Sequence, residues 1–170
     1  MRLYVMRHAD AVPRGTPGYG QDAQRPLTAG GRLQARDAAK GLKCLSIPIK
    51  VILTSPYARA VQTAEEVRRV FGSGTEMTPM EELRAEANPE DTSFALRAFC
   101  AFDHLLAVGH EPHCSAWITE LVTNSGTMRC LVKKGGVACV ELERLPPARG
   151  DGTLRWLMTA KQLALIGKSS

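Results

Sequence analysis

The sequence predicts an α/β fold, a three-layer α/β/α sandwich built around a mostly parallel central sheet. Three observations lead there. Short apolar or β-branched runs, Arg2–Met6, Val51–Thr54 and His104–Val108, alternate with longer stretches whose apolar residues recur at helical spacing. Each run is followed at once by a polar cluster: Arg7-His8, Ser55 to Arg59, and Gly109-His110. The rhythm then changes to period-two alternation in Gly135–Glu143 and Gly152–Met158, which adds an antiparallel pair to the sheet.

Arg2–Met6 reads as a buried strand ending at Arg7-His8, and Ala11–Pro26, rich in glycine and proline, as a loop. Thr28 caps a helix carrying Leu33, Ala35, Ala38, Ala39 and Leu42 on one face and stopping near Gly41. After the strand Val51–Thr54, Ser55 stands as an N-cap with Pro56 at the first helical position. Ala60, Ala64, Val67 and Phe71 mark the face of that helix, which Gly72-Ser-Gly74 ends. Thr75–Met80 reads as a third strand, followed by the acidic stretch Glu81–Asp91 and a helix over Thr92–Ala101. The strand His104–Val108 comes next, and Pro112 opens a helix through Leu121.

A chain of 170 residues is one domain's worth, so residues 1–170 are expected to form a single domain. Apolar content of 44% with 23% charged residues excludes a disordered chain. Apolar stretches such as Leu105–Val108 fall far short of the roughly 20 residues that span a bilayer. Arg2, Arg7 and Asp10 charge the first ten residues, so neither a membrane span nor a secretory leader is expected. Five cysteines, Cys44, Cys100, Cys114, Cys130 and Cys139, show no CxxC or CxxH spacing; neither a disulfide framework nor a zinc site is indicated, and a reducing cytoplasm is expected. Lys and Arg number 22 against 17 Asp and Glu, a net charge of +5. The densest basic spots are only the pairs Arg68-Arg69 and Lys133-Lys134, and aromatics make up 5%, so no nucleic-acid partner is expected. The surplus matters in a different way, through arginines that converge on one small anion.

In an open α/β sheet the ligand crevice lies beyond the carboxyl ends of the strands, where the three polar clusters meet. Two guanidiniums and two imidazoles there make an anion pocket with a nucleophile. Arg7 and Arg59 are the clamps, since a planar guanidinium fork matches phosphate oxygens and keeps its charge. Arg59 also stands in the first turn of a helix, where free N–H groups favour an anion. A neutral His8 beside a phosphoryl group can attack phosphorus and form a covalent intermediate. Flanking cations favour its neutral form. His110 is expected to stabilise the charge of the transition state. A carboxyl group must protonate the leaving atom and later take a proton from water, and the pair Glu81-Glu82 can supply it.

These residues resemble the histidine phosphatase superfamily (branch 1), the phosphoglycerate mutase-like proteins. Arg7-His8-Ala9 after the first strand is similar to its first signature. Ser55-Pro56-Tyr57-Ala58-Arg59-Ala60-Val61-Gln62-Thr63 is similar to its second over nine residues, and Gly109-His110 to its third. Arg25-Pro-Leu-Thr28 with Gly31 is similar to a further element. The resemblance implies a phosphoglycerate mutase-like fold and a phosphatase in which His8 becomes phosphorylated. Arg7, Arg59 and His110 then hold the phosphoryl group, with Arg25 as a further substrate contact and no metal or other cofactor. In Met80-Glu81-Glu82-Leu83, Glu82 is the implied proton donor. The short chain and the Met-Arg-His-Ala-Asp start resemble the SixA-type phosphohistidine phosphatases. Arg59 and His110 are only 51 positions apart, which leaves little room for a lid and suits a phosphohistidine on a protein surface. The expected partner is therefore a phosphorylated protein or a small phosphate ester, neither nucleic acid nor membrane, and the sequence assigns no oligomeric state. Two other readings stay open: a broad phosphomonoesterase on metabolites or nucleotides, and a non-catalytic phosphate- or phosphoprotein-binding module.

Overall fold

Strand β1 (Arg2–Arg7) lies near the middle of a six-stranded sheet, where its buried run of Leu3, Tyr4, Val5 and Met6 is covered on both sides. The computed structural model describes residues 1–125 and 127–168. The other strands are β2 (Val51–Thr54), β3 (Glu76–Pro79), β4 (His104–Gly109), β5 (Val137–Leu142) and β6 (Gly152–Met158). Their spatial order is β3-β2-β4-β1-β5-β6. The first four are parallel, while β5 runs antiparallel to β1 and β6 to β5. The mostly parallel α/β sandwich is thus present as expected.

Among the described residues five α-helices flank the sheet: α1 (Ala29–Cys44), α2 (Ala58–Phe71), α3 (Pro89–Ala95), α4 (His113–Val122) and α5 (Ala160–Ile166). Alternation along the strands sends Tyr4 and Met6 to one face with Ala38, Ala39, Leu42, Ala64, Val67 and Leu163. Leu3 and Val5 go to the other face with Trp117, Ile118 and Leu121 of α4. Among the described residues no helix is long and apolar enough to cross a membrane.

Several local expectations shift. Thr28 does cap α1, its hydroxyl accepting from the Gly31 N–H at 2.9 Å. The helix nevertheless runs past Gly41, because Gly41 is where α5 packs: a Cβ there would lie 2.1 Å from the Leu163 carbonyl oxygen. Leu33, expected on the buried face, is 56% exposed. Tyr57, not Ser55, is the N-cap residue of α2, so Pro56 lies outside the helix. The helix expected over Thr92–Ala101 begins earlier, at Pro89 behind an Asn88 cap, and tightens into a 3-10 turn at Leu96–Phe99. Helix α5 was not expected from the sequence, although Thr159 and Gln162 form a capping box at its start. The basic residue Arg69 is structural. Together with Arg32 and Arg36 it surrounds the fully buried Glu66 carboxylate, at 2.7, 3.4 and 2.9 Å respectively, joining α1 to α2.

Candidate active site

Pairing within the sheet brings three strand ends level. Arg7 stands opposite Gly109 and Thr54 opposite Val108, and the next N–H groups continue the ladder, His8 to Gly109 O and Ser55 to Val108 O, each at 2.9 Å. The polar cluster after each strand therefore opens into one cavity of about 540 Å³. Arg7, His8, Arg25, Arg59 and His110 all line it, together with Asp10, Arg14, Glu111 and Lys134. Residues from the second cluster also hold the first in place. Thr63 Oγ1 accepts from the Ala9 N–H at 3.1 Å and Gln62 Oε1 from the Leu27 N–H at 2.8 Å, tying both flanking segments to α2.

His8 is buried, with Nδ1 2.7 Å from the Ala9 carbonyl oxygen. A carbonyl only accepts, so Nδ1 carries the proton and Nε2 keeps its lone pair. Arg59 Nε–H donates to that Nε2 at 3.2 Å. Burial pushes the imidazole down to about 3; the Ala9 hydrogen bond opposes this, while Arg59, Arg7 and Lys134 add to it. The cations favour the neutral ring as expected, but loss of water is the larger cause.

His110 is 1% exposed, its ring 5.0 Å from that of His8. Its Nε2 pairs with Ser55 Oγ at 2.8 Å. Burial, then the neighbouring His8 and Arg59, push it down to about 2. His110 Nδ1 and Arg7 Nε are buried and have no hydrogen-bond partner among the described residues. Buried polar atoms are rarely left so, and both belong to residues lining the cavity.

Arg59, 2% exposed, directs Nη1 to the Asp22 carbonyl oxygen at 2.8 Å and Nη2 to the Asp22 carboxylate at 2.9 Å. Arg25 and Arg14 bind the same carboxylate at 2.8 and 3.0 Å. Burial opposes ionisation of Asp22, but Arg25, Arg59 and Arg14 together outweigh it and hold the carboxyl at about 2.

Glu82 is the one expected site residue that the structure does not bring to the cavity. It sits in a 3-10 turn, Glu81–Leu83, with its backbone carbonyl accepting from Thr92 Oγ1 at 2.7 Å, and it is not among the lining residues. Only Ala85 represents the whole segment between Arg59 and His110 in that lining. Glu81 is ion-paired with Arg84.

Asp22, Glu111, Val132 and Lys134 form part of the site without having been singled out for it. Gly135 N–H donates to the carbonyls of Arg7 and His8, and Val132 O accepts from Arg7 Nη1 at 3.2 Å. Lys134 pairs with Asp10 at 2.7 Å. A signal existed for this wall: a strand antiparallel to β1 must begin beside the end of β1, so the residues just before β5 face the pocket. Among the described residues no three His, Cys, Asp or Glu side chains gather as metal ligands would.

Neutral burial of three histidines predicts acid sensitivity. His113, with Nε2 2.9 Å from Thr92 Oγ1, is pushed down by burial to about 4 and joins His8 and His110. In the unfolded chain each titrates near 6.5, so below that pH the unfolded state binds protons that the folded state does not. Stability should be level above about pH 7 and fall by roughly 1 kcal/mol per histidine by about pH 5.5. Urea unfolding across this range checks it, and a flat profile contradicts neutral burial.

Residues 3–88 match the family model described as histidine phosphatase superfamily (branch 1). The chain is 28% identical over 167 residues to the phosphohistidine phosphatase SixA of Escherichia coli K12, covering 97% of this chain and 98% of that protein. A solved structure of the protein histidine phosphatase SixA complexed with tungstate superposes with a TM-score of 0.83 at 28% identity, covering 96% and 99% of the two chains. The α-ribazole phosphatase of Shigella flexneri, 19% identical with a TM-score of 0.71 and 94% and 97% coverage, shares the fold. With its strand-end arginines and histidines gathered in one cavity and its amino-terminal half matching the family model, this chain belongs to the histidine phosphatase superfamily, branch 1.

Proposed function

We propose that the protein is a phosphohistidine phosphatase that removes the phosphoryl group from a histidine of a partner protein through a covalent intermediate on its own His8. The observation that carries this is the pairing of a neutral His8, whose Nε2 keeps its lone pair and is oriented by the Arg59 Nε–H, with Arg7 and His110, which line the same cavity and each carry a buried nitrogen that has no hydrogen-bond partner among the described residues. In the first step Nε2 bonds to phosphorus as the bond to the leaving nitrogen breaks and its electron pair departs with that nitrogen. In the second, a water oxygen bonds to phosphorus and the P–Nε2 electron pair returns to His8. Arg7, Arg59 and His110 meet the charge on the phosphoryl oxygens in both transition states, and Arg25 supports the pocket from its rim through Asp22.

Charge balance agrees with a dianionic group. Arg7, Arg14, Arg25, Arg59 and Lys134 outnumber the ion-paired Asp10 and Asp22 by three positive charges, or by two when Glu111 is ionised. A protein substrate is favoured by the lining itself, since Ala85 alone from the long segment between Arg59 and His110 reaches it. The likeness to SixA over nearly the whole chain points the same way.

Turnover of a phosphohistidine-bearing protein should be compared with that of compact phosphate esters under one set of conditions. The phosphoprotein is expected to react with the higher kcat/KM. Equal or faster reaction of a compact ester overturns the assignment of substrate.

A further inference from the structure

We infer that Glu111, not a carboxylate of the acidic Glu81–Glu86 stretch, carries the proton in both steps of the reaction proposed above. The inference rests on that reading, because two-step transfer through His8 needs one group to protonate the leaving atom and then to take a proton from the attacking water.

Elimination narrows the choice. Asp10 lines the cavity, but Lys134 Nζ at 2.7 Å and Thr28 Oγ1 at 3.1 Å fix it as an anion, and those bonds hold its carboxyl below the usual range. Asp22 is bound by three arginines. Glu81 pairs with Arg84, Glu86 accepts from the Tyr57 hydroxyl, and neither Glu82 nor these two line the cavity. Glu111 does. Among the described residues no cationic nitrogen lies within ion-pair distance of it. Its Oε1 accepts from the Val132 N–H at 3.0 Å and the Ser115 hydroxyl at 2.7 Å, and among the described residues Oε2 has no partner. A carboxyl held by one oxygen, with the other free and no ion pair to either, presents an oxygen at which a proton can be given and taken back.

Position agrees with the role. Val132 accepts from Arg7 through its carbonyl and donates to Glu111 through its N–H, so one residue fixes the carboxyl beside a phosphoryl clamp. Glu111 also directly follows His110. The protons balance. In the first step protonated Glu111 gives its proton to the leaving atom as neutral His8 takes the phosphoryl group. In the second, the carboxylate takes a proton from water as hydrogen phosphate forms, His8 returns to neutral, and protonated Glu111 is restored.

The test is Glu111→Gln, whose amide oxygen can still accept both hydrogen bonds but whose side chain carries no transferable proton. With an alkyl phosphate, whose leaving group needs protonation, kcat should fall by about 10²-fold or more with KM little changed. With 4-nitrophenyl phosphate the first step should be nearly spared, so that label trapped by an alkaline denaturing quench accumulates on His8 because water attack has lost its base. Glu111→Asp should recover part of kcat on the alkyl ester, which separates proton transfer from loss of fold. Glu111→Gln within about twofold of wild type on both esters, or the leaving-group-dependent loss appearing in Glu82→Gln instead, overturns the assignment. Absence of any His8 label in the wild type overturns the covalent reading and the role of Glu111 with it, and so is distinguishable from failure of this inference alone.

Discussion

Alanine at position 8 is expected to lower turnover by on the order of 10⁴-fold or more and to abolish the phosphoenzyme, because it removes the atom that bonds to phosphorus. The imidazole cannot be replaced from nearby. Cys114 is buried behind the sheet, 4.0 Å from the Met6 carbonyl, and burial pushes its thiol far up, so it is no thiolate at working pH. His110 is committed to Ser55 through Nε2. Brief reaction with labelled substrate and an alkaline denaturing quench should leave acid-labile, alkali-stable label on the wild type and none on His8→Ala. Inorganic phosphate should still bind the variant, since both clamps remain. Label on serine or cysteine, or full turnover without His8, rejects the covalent reading.

Arg59→Lys is the second large effect, a loss of about 10²–10³-fold in kcat/KM with charge conserved. Arg59 acts as a fork: Nε points at His8 Nε2 while both Nη atoms face Asp22. An ammonium is a single point of charge and cannot orient the nucleophile and hold the loop at once. Steady-state kinetics with calorimetric titration of phosphate reads the two losses separately. A variant within a few-fold of wild type in both would show that charge alone suffices.

Much of this site was legible in the sequence because its residues are attached to strand ends. β1, β2 and β4 are short apolar runs that cannot be mistaken for long helices, and whatever follows them must gather at one edge of a parallel sheet. Arg7, His8, Arg59 and His110 follow from that alone. Asp22 and Lys134 do not, since both lie in irregular segments whose placement depends on tertiary pairing rather than periodicity. The acid residue shows the limit more sharply. Glu82 stands in a suggestive local pattern and Glu111 in none, yet which carboxylate reaches the cavity depends on how the Glu81–Leu83 turn and the segment ending at Val132 pack. Helix α5 was missed because seven residues give too short a stretch for helical periodicity to emerge.

The Asp22 carboxylate on Arg59 has a consequence for product release. A phosphoryl dianion that reaches Arg59 does not meet a bare guanidinium; it exchanges with a carboxylate and a carbonyl that already occupy the fork. The free energy of binding is then the difference between two anions at one cation, smaller than the full attraction of an unpaired buried charge. The same exchange runs backwards once hydrogen phosphate has formed, with Asp22 ready to reclaim Arg59 as the product leaves. A pocket that holds its own anion in reserve is thereby protected from being trapped by the phosphate it makes.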